Sequence, residues 1–254
     1  MMEIIYGRRP VLEALKAYRR KFQQLFFLQS IQSDKITAEI VSLAHKHQIE
    51  ILYLPKDQLE IITGGGHHQG VAARVSLYSY VDIDGVLEEI DTDSSTLKPP
   101  VIVVLDHITD PQNFGAILRV AETGGVFCVV IPKDRSVEVT PAVVRSSSGA
   151  SEYLRVTKVV NITRAINLLK KRGFWVVGLD SNDLSIPYER ISFTYPVVLV
   201  IGQEGKGISR LVRENCDYLL HIPMYGSIDS MNVATALAVI VHEIRRQHRI
   251  APGK

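Results

Sequence analysis

The sequence predicts an α/β protein with a parallel sheet in its larger part. Five short runs rich in Val, Ile and Leu alternate with helical patterns beyond residue 100. Each run is almost continuously apolar, as expected for parallel strands covered on both faces. The 254 residues are 46% hydrophobic and 22% charged, which excludes disordered, collagenous and coiled-coil proteins. A doubly wound sheet follows from this alternation.

The first 78 residues predict a smaller α/β unit. A helical pattern starts after Gly7, and further apolar patterns predict a strand at 24–28, a helix at 36–44, a strand at 49–54, a helix at 56–62 and a strand at 71–75. The glycine run at 64–66 predicts a mobile turn, because glycine reaches positive φ without steric penalty. An amphipathic helix is expected at 82–90, and residues 91–100, rich in Asp, Ser, Thr and Pro, predict an exposed linker.

The larger block continues the alternation to the end of the chain. Strands are predicted at 101–105, 126–131, 174–179, 197–201 and 218–222, and helices at 113–123, 140–147, 161–172, 208–214 and 230–247. We therefore divide the chain into a domain at 1–78, a linker at 79–99 and a second domain at 100–254. No repeat of 20–50 residues is present in the sequence.

The distribution of charge supports this division. The net charge of +2 separates into +3 over residues 1–79, −5 over 80–99 and +4 over 100–254. Two weakly basic blocks around an acidic one fit a domain boundary better than a nucleic-acid-binding stripe, so charge alone does not indicate RNA. No apolar run approaches the roughly 20 residues of a membrane span, and no leader pattern begins the sequence, so we expect a cytosolic protein.

The cysteines and the candidate ligands point to neither a disulfide framework nor a metal site. Cys128 and Cys216 are isolated from each other and from any C-x-x-C pattern, so buried reduced thiols are expected. No cluster of His, Cys and carboxylate residues has ligand spacing.

Three loops that follow predicted strands contain unusual polar residues. They cover 106–115, leading into a helix with Arg119, then 202–207, and then 222–232. In open α/β sheets the ligand lies at the carboxyl ends of the strands, so these loops are the candidate site.

The loop at 202–207 fails two nucleotide-binding patterns. A phosphate-binding loop needs Lys where Ile208 stands, and a dinucleotide fingerprint needs Gly or Ala where Arg210 stands. No G-x-S-x-G hydrolase motif occurs in the chain. The remaining interpretation is a glycine-rich loop that contains Glu204. An adenosine-like ligand can approach the backbone of such a loop closely. A simple strand-to-helix turn is the alternative.

The other two loops are ambiguous when taken singly. Asn113 is a plausible helix N-cap. Arg119 lies six residues further, where it either faces a cleft or pairs with Glu122, and spacing does not decide between them. Ser230 is a good N-cap for the last helix, which would place Asn232 in the first turn, where asparagine is better suited to bond a ligand or a loop.

The three loops together resemble the motifs of the SpoU (TrmH-like) branch of the SPOUT RNA methyltransferases. The resemblance rests on Asn113-Phe-Gly115-x-x-x-Arg119, on Ile201-Gly202-x-Glu204-Gly205-x-Gly207-Ile208, and on Ile222-Pro223-Met224-x-Gly226-x-x-x-Ser230-Met231-Asn232-Val233. It extends over essentially the whole chain and is strongest to the RlmB group, which methylates guanosine 2′-oxygens of ribosomal RNA. Met231 stands where leucine is usual, and Ala234 where serine is common.

This resemblance implies a catalytic domain with a trefoil knot, joined to a smaller domain similar to ribosomal protein L30e, and a homodimer. It implies S-adenosylmethionine as cofactor. The cofactor contacts it implies are Ile201, Gly202, Gly207, Ile222, Pro223, Met231 and Val233. The catalytic residues it implies are Asn113, Arg119, Glu204, Ser230 and Asn232. Expected RNA contacts are Arg8, Arg9, Lys133, Arg135 and Arg145.

The implied reaction is methyl transfer to a ribose 2′-oxygen, with a guanosine of 23S ribosomal RNA as the expected target. Family proposals give Arg119 the role of base, but a guanidinium is effectively always protonated. We therefore expect Arg119 to hold a phosphate and stabilise alkoxide charge, while Glu204, a phosphate oxygen or water accepts the proton. Glu204 is expected to fix Arg119 or Asn232, or to be structural. The alternatives are a target in transfer RNA or elsewhere in ribosomal RNA, and a catalytically silent RNA-binding module.

Overall fold

The computed structural model describes residues 1–92, 99–182 and 184–250, without the side chain of Thr92. The chain forms two compact units. One contains Met1–Ser79 together with Glu138–Tyr153, and the other contains Tyr80–Val137 and Leu154–Lys254. Most of the predicted exposed linker, residues 93–98, lies outside the described residues.

The elements up to residue 92 follow the predicted order, with one additional strand at the start. They are β1 (Met2–Tyr6), α1 (Arg8–Ala17), β2 (Phe22–Leu28), α2 (Lys35–Lys46), β3 (Glu50–Leu54), α3 (Lys56–Ile62), β4 (Val71–Ser76) and α4 (Ile83–Thr92). The four strands form one sheet in the order β1-β4-β2-β3. β4 is antiparallel to both β1 and β2, and β2 is parallel to β3.

The remaining elements form an alternating series. They are β5 (Val101–Asp106), α5 (Pro111–Thr123), β6 (Cys128–Pro132), α6 (Pro141–Ser146), β7 (Arg155–Val159), α7 (Ile162–Lys171), β8 (Trp175–Leu179), β9 (Ile186–Pro187), β10 (Val197–Gly202), α8 (Arg210–Glu214), β11 (Tyr218–His221) and α9 (Val233–Ile250). Short 3₁₀ helices cover Ala150–Glu152 and Tyr188–Arg190. β7 was not predicted, because Arg155 and Lys158 interrupt its apolar residues and it lies at the edge of its sheet.

The second unit contains the predicted parallel sheet. Its seven strands lie in the order β7-β6-β5-β10-β8-β11-β9, and every pairing is parallel. The central strands β5 and β10 are buried along their whole length, as their continuous apolar sequences predict. The prediction of an α/β fold with a parallel sheet is therefore confirmed.

The boundary between the units differs from the predicted one in two respects. The segment 138–153, placed by the sequence in the second domain, belongs to the first unit. α4, placed in the linker, contributes Val86 and Leu87 to the buried apolar cluster of the second unit. The amphipathic pattern at 82–90 thus belongs to a helix packed on the sheet and not to a free connection.

A buried ion-pair network accounts for the place of 138–153 in the first unit. The Arg20 guanidinium forms two hydrogen bonds of 2.8 Å to the Glu152 carboxylate and a further one to Glu3. The side chains of Arg20 and Glu152 are 2% and 1% exposed. Burial opposes the charge on Arg20, but the adjacent carboxylates of Glu152 and Glu3 raise its pKa above the ordinary value. The two charges therefore require each other in the folded unit.

Both cysteines are free thiols, as predicted. Cys128 is buried and Cys216 is half-buried, and burial raises the pKa of each thiol to about 12. Among the described residues, no helix combines the length and the apolar character that a bilayer span requires.

Candidate active site at the carboxyl edge of the parallel sheet

The three candidate loops leave the same edge of the seven-stranded sheet. β5 and β10 are neighbours, with Asp106 opposite Gly202 in the register. β11 lies two strands from β10, beyond β8. Because all these strands are parallel, their carboxyl ends define one edge, which we call the carboxyl edge. The polar residues that follow each strand are thereby gathered at one side of the unit.

A side-chain hydrogen bond connects the first and third loops. The Asn232 amide nitrogen donates to the Asn113 side-chain oxygen over 2.9 Å. The two residues are 119 positions apart in the chain, so only the fold brings them together. Their side chains are thus fixed relative to each other at the carboxyl edge.

The helix caps differ from the predicted ones. Asp110, not Asn113, is the N-cap of α5, and its carboxylate accepts the Asn113 backbone N–H over 2.7 Å. Pro111 occupies the first helical position, which leaves Asn113 in the first turn. Its side chain is therefore not engaged as a cap and is used for the bond to Asn232.

The predicted cap at Ser230 is likewise wrong, because α9 begins three residues later. The Asn232 side-chain oxygen accepts the Ala234 N–H over 3.0 Å, and its carbonyl accepts from Ala236 over 2.9 Å. Asn232 is therefore the N-cap of α9 and uses its amide nitrogen for Asn113. Ser230 is exposed in the preceding loop. Ser and Asn are both common caps, so the sequence alone did not separate them.

The second loop folds back tightly on the end of β10. The Gly207 N–H donates to the Gln203 carbonyl over 2.8 Å. A Cβ at Gly202 would lie 2.0 Å from the Gly207 carbonyl oxygen and 2.5 Å from the Ile208 nitrogen. Gly205 and Gly207 adopt φ values of +79° and +66°, which favour glycine. The glycines are therefore required by the turn, and Glu204 is exposed at its tip.

Asp106, which sequence analysis did not single out as a site residue, ties the second loop to the first strand. Its carboxylate is 2% exposed and accepts the Ser209 N–H over 2.7 Å. Its other oxygen lies 2.5 Å from Nδ1 of His107, a residue with a φ of +62°. An aspartate that directly ends a buried apolar strand was the signal in the sequence.

Asp180 fixes the other side of the same loop. It follows β8, the strand between β10 and β11, and its carboxylate accepts from the Arg213 Nε over 2.6 Å. Arg213 also donates to the Ile208 carbonyl over 3.0 Å. The end of the glycine loop is thus held on both sides: Asp106 bonds Ser209 directly, and Asp180 holds Ile208 through Arg213.

The other predicted site residues differ in exposure, and Arg119 lies about two turns along α5 from the carboxyl edge. Arg119 is exposed on α5, and Met231 is 37% exposed in the third loop. The remaining predicted cofactor contacts range from buried to half-buried: Ile201, Gly202, Gly207, Ile222, Pro223 and Val233. The expected contact of Glu204 with Asn232 is absent, since the Asn232 side chain bonds Asn113 and Ala234.

The predicted RNA contacts are divided between the two units. Lys133 and Arg135 are exposed just after β6, at the carboxyl edge. Arg145, which was expected near the catalytic cleft, belongs to the first unit with Arg8 and Arg9. Arg9 is 3.2 Å from Glu13, and Arg8 donates to the Gln69 carbonyl over 3.0 Å. Within the described ranges, no three His, Cys, Asp or Glu side chains group as metal ligands would.

Comparison with known families assigns both parts of the chain. Residues 100–242 match the model of the SpoU rRNA Methylase family. This chain belongs to the SpoU rRNA methylase family. Residues 4–81 of this SpoU protein match a second model, described as RNA 2′-O ribose methyltransferase substrate binding.

Curated relatives and solved structures cover the chain almost completely. A Mycolicibacterium vanbaalenii protein named as an uncharacterized tRNA/rRNA methyltransferase is 41% identical over 98% of this chain and 78% of its own length. YacO of Bacillus subtilis, named for the TrmH family of tRNA/rRNA methyltransferases, is 34% identical over 96% of both chains. The crystal structure of the SpoU methyltransferase AviRb from Streptomyces viridochromogenes with AdoMet has a TM-score of 0.79 and 25% identity, over 99% of this chain and 92% of AviRb.

Proposed function

We propose that this chain is an S-adenosylmethionine-dependent RNA methyltransferase that modifies a ribose 2′-oxygen, with a guanosine of 23S ribosomal RNA as its target. The observation that carries the proposal is the bond between Asn113 and Asn232, which unites two of the three SpoU motifs beside the glycine loop. The substrate-binding model at residues 4–81 and the AdoMet bound by AviRb support the same assignment.

The residues at the carboxyl edge fit an adenosine-like cofactor. Between Met224 and Met231, no backbone N–H donates to any described residue, so this backbone can bond a ligand. The tip of the glycine loop, Glu204 to Lys206, is exposed beside the end of β10. Apolar side chains of Ile201, Ile222 and Val233 lie at the ends of the same strands and at the start of α9. These residues would hold the cofactor.

S-adenosylmethionine supplies a methyl group that is activated by the positive charge of its sulfonium. The protein must then orient a ribose hydroxyl and stabilise the negative charge that develops on its oxygen. Asn113 and Asn232 are held in fixed positions for the first task. Arg119, six residues beyond Asn113 on α5, is assigned the second, because a guanidinium keeps its charge at all working pH values.

The proton of the ribose hydroxyl requires an acceptor other than Arg119. Glu204 is one candidate in this chain, because its carboxylate is exposed at the tip of the glycine loop. A phosphate oxygen of the RNA or a water molecule is the alternative. Ser230, exposed in the third loop and not the helix cap, remains assigned to the catalytic set. The family resemblance further predicts a knotted catalytic domain and a homodimer.

Methyl transfer to separate RNA pools tests the proposed function. The purified chain is incubated with methyl-labelled S-adenosylmethionine and either 23S ribosomal RNA or transfer RNA, both unmodified. We expect label in 23S RNA, in a dinucleotide that resists alkaline hydrolysis because its 2′-oxygen carries the methyl group. Label only in transfer RNA assigns the alternative substrate. If the chain binds the cofactor but labels neither RNA pool, it is a catalytically silent RNA-binding protein, and the proposal is contradicted.

A further inference from the structure

The opposite edge of the parallel sheet carries cations and aromatic rings that the proposed reaction does not use. Val101, Val197 and Trp175 begin the neighbouring strands β5, β10 and β8 and are aligned in the register. We call this side the amino edge. Strands of five or six residues place it roughly 15–20 Å from the carboxyl edge. A ligand held at the amino edge therefore does not occupy the cofactor site.

Arg245 of α9 is a half-buried cation at this edge. Its guanidinium donates to the carbonyls of Gly124, Gly125 and Pro99 at 2.9, 2.5 and 3.1 Å. These acceptors are neutral, and none of the described carboxylates forms an ion pair with it. Burial without such a partner lowers the pKa of Arg245. An anion placed beside it would supply the missing counter-charge.

Arg245 separates two open spaces that such an anion can enter. A cavity of about 390 Å³ lies on one side, lined by Pro99, Pro100, Phe127 and the end of α5. A second one, of about 350 Å³, is bordered by Arg245 with His242, Arg246 and Arg249.

The two other arginines of this region differ in their charge balance. Arg246 forms two bonds of 2.7 Å to the Glu243 carboxylate and is neutralised by it. Arg249 is exposed and makes no ion pair with a described residue. Among the described residues, the positive charges at the two cavities that form no ion pair are thus those of Arg245 and Arg249.

An aromatic cluster lies on the same edge, two strands from Val101. Trp175 is 40% exposed, and its ring is stacked with Tyr218 at a centroid distance of 5.5 Å and tilted toward Tyr195 at 4.9 Å. Because neighbouring strands are about 4.8 Å apart, the start of β8 is about 10 Å from the start of β5. The nearby Asp217 carboxylate is paired with Lys170 over 2.6 Å and adds no free negative charge.

We propose that the amino edge binds a single strand of RNA, with Arg245 and Arg249 holding phosphates and Trp175 stacking on a base. Exposed aromatic rings beside uncompensated cations are the combination that proteins use for unpaired nucleic acid. The inference rests on the proposed function in taking RNA as the ligand. It implies that the amino edge binds nucleotides that lie at a distance from the methylated nucleotide.

Fluorescence anisotropy of a labelled, unstructured oligoribonucleotide tests this proposal on the full chain without cofactor. Arg249→Gln is expected to weaken binding about fivefold and to reduce the slope of log Kd against log salt by about 0.7, the value for one phosphate contact. Arg246→Gln, with the same change of net charge three residues away, is the matched control and is expected to weaken binding by less than about twofold. Trp175→Ala is expected to weaken it about tenfold, and Trp175→Phe much less.

Calorimetry with S-adenosylmethionine separates this proposal from the proposed function. Variants that bind both cofactor and oligonucleotide like the wild type overturn the proposal and leave the proposed function intact. A wild-type chain that binds no cofactor overturns the proposed function. Equal losses for Arg249→Gln and Arg246→Gln indicate an unspecific charge effect and overturn the proposal. The proposal is also overturned if inorganic phosphate stabilises the wild-type chain, Arg249→Gln abolishes this stabilisation, and oligonucleotide binding is unchanged. That result indicates a site for a small anion.

Discussion

The Asn232 side chain makes two bonds at once, one to the Asn113 side chain at 2.9 Å and one to the Ala234 backbone at 3.0 Å. The first connects two loops that belong to different strands, and the second caps α9. Any ligand held between these loops therefore depends on a residue that also determines where the last helix begins.

The two roles of Asn232 can be measured separately. Asn232→Ala is expected to lower the free energy of unfolding by about 1 kcal/mol through loss of the cap, whereas Ser230→Ala changes it by less than about 0.5 kcal/mol. A double-mutant cycle with Asn113→Ala should give a coupling energy of about 0.5–1.5 kcal/mol in urea unfolding. A coupling near zero would show that the bond between the loops does not persist in solution.

Gly202→Ala should abolish cofactor binding. Its Cβ would lie 2.0 Å from the Gly207 carbonyl oxygen, and backbone must move to relieve this contact. Gly85→Ala, in α4 and outside the three loops, is the matched control, because no atom lies within 4 Å of the Cβ it would add and its φ is not positive. Calorimetric titration with S-adenosylmethionine distinguishes the two variants. Wild-type affinity in Gly202→Ala would contradict the geometry of the glycine loop.

Arg119 is expected to act through its charge. Arg119→Gln should lower the single-turnover rate of methyl transfer on the order of 10²–10³-fold, the usual cost of removing one charge-stabilising donor. Arg119→Lys keeps the positive charge and should retain most of that rate. A loss in Arg119→Lys as large as in Arg119→Gln would instead favour a role that only a guanidinium can perform, including that of a tuned base.

The buried pair of Arg20 and Glu152 should dominate the stability of the first unit. Glu152→Ala leaves the guanidinium with the Glu3 carboxylate and the Ser76 carbonyl and is expected to cost about 3–5 kcal/mol. Glu39→Ala removes the same group from an ion pair with Lys16 whose side chains are 36% and 44% exposed, and should cost no more than about 1 kcal/mol. Chemical denaturation measures both. Similar costs for the two variants would mean that the Arg20 site is hydrated.

The two thiols should be unreactive in the folded protein. With a pKa of about 12, each is a thiolate in only about one molecule in 10⁴ at pH 8, and the thiolate is the reactive form. Reaction with a disulfide reagent should therefore be slow for the native chain and complete for two thiols in denaturant. Cys216→Ser assigns the remaining signal to Cys128. Rapid modification of one thiol in native buffer would contradict the burial of that residue.

The sequence predicted the central strands well because the first five residues of β5 and of β10 are all apolar, as in a strand covered on both faces. It missed the edge strands β1, β7 and β9, since an edge strand needs apolar residues on one face only, as Arg155 in β7 shows, and β9 has only two residues. It also chose the wrong caps, because Asp110, Asn113, Ser230 and Asn232 are all competent for that role. Only long-range contacts decide between them.

Local sequence patterns were equally limited in predicting the candidate active site. Spacing identified the three loops, and parallel topology brought them to one edge. The links that fix them, from Asp106 to Ser209 and from Asp180 to Arg213, join residues 103 and 33 positions apart. Such partners are set by the fold and are not encoded in any local pattern.

The division of the first unit into Met1–Ser79 and Glu138–Tyr153 has a consequence for biosynthesis. A ribosome that has released only the first of these segments has supplied Glu3 but not yet the Glu152 carboxylate for Arg20. The nascent unit must wait until residue 153 has left the exit tunnel, by which time β5 and β6 have also emerged. Expression of residues 1–79 as an isolated module should accordingly yield a weakly folded product, and joining it to 138–153 through a short engineered connection should restore its cooperative melting.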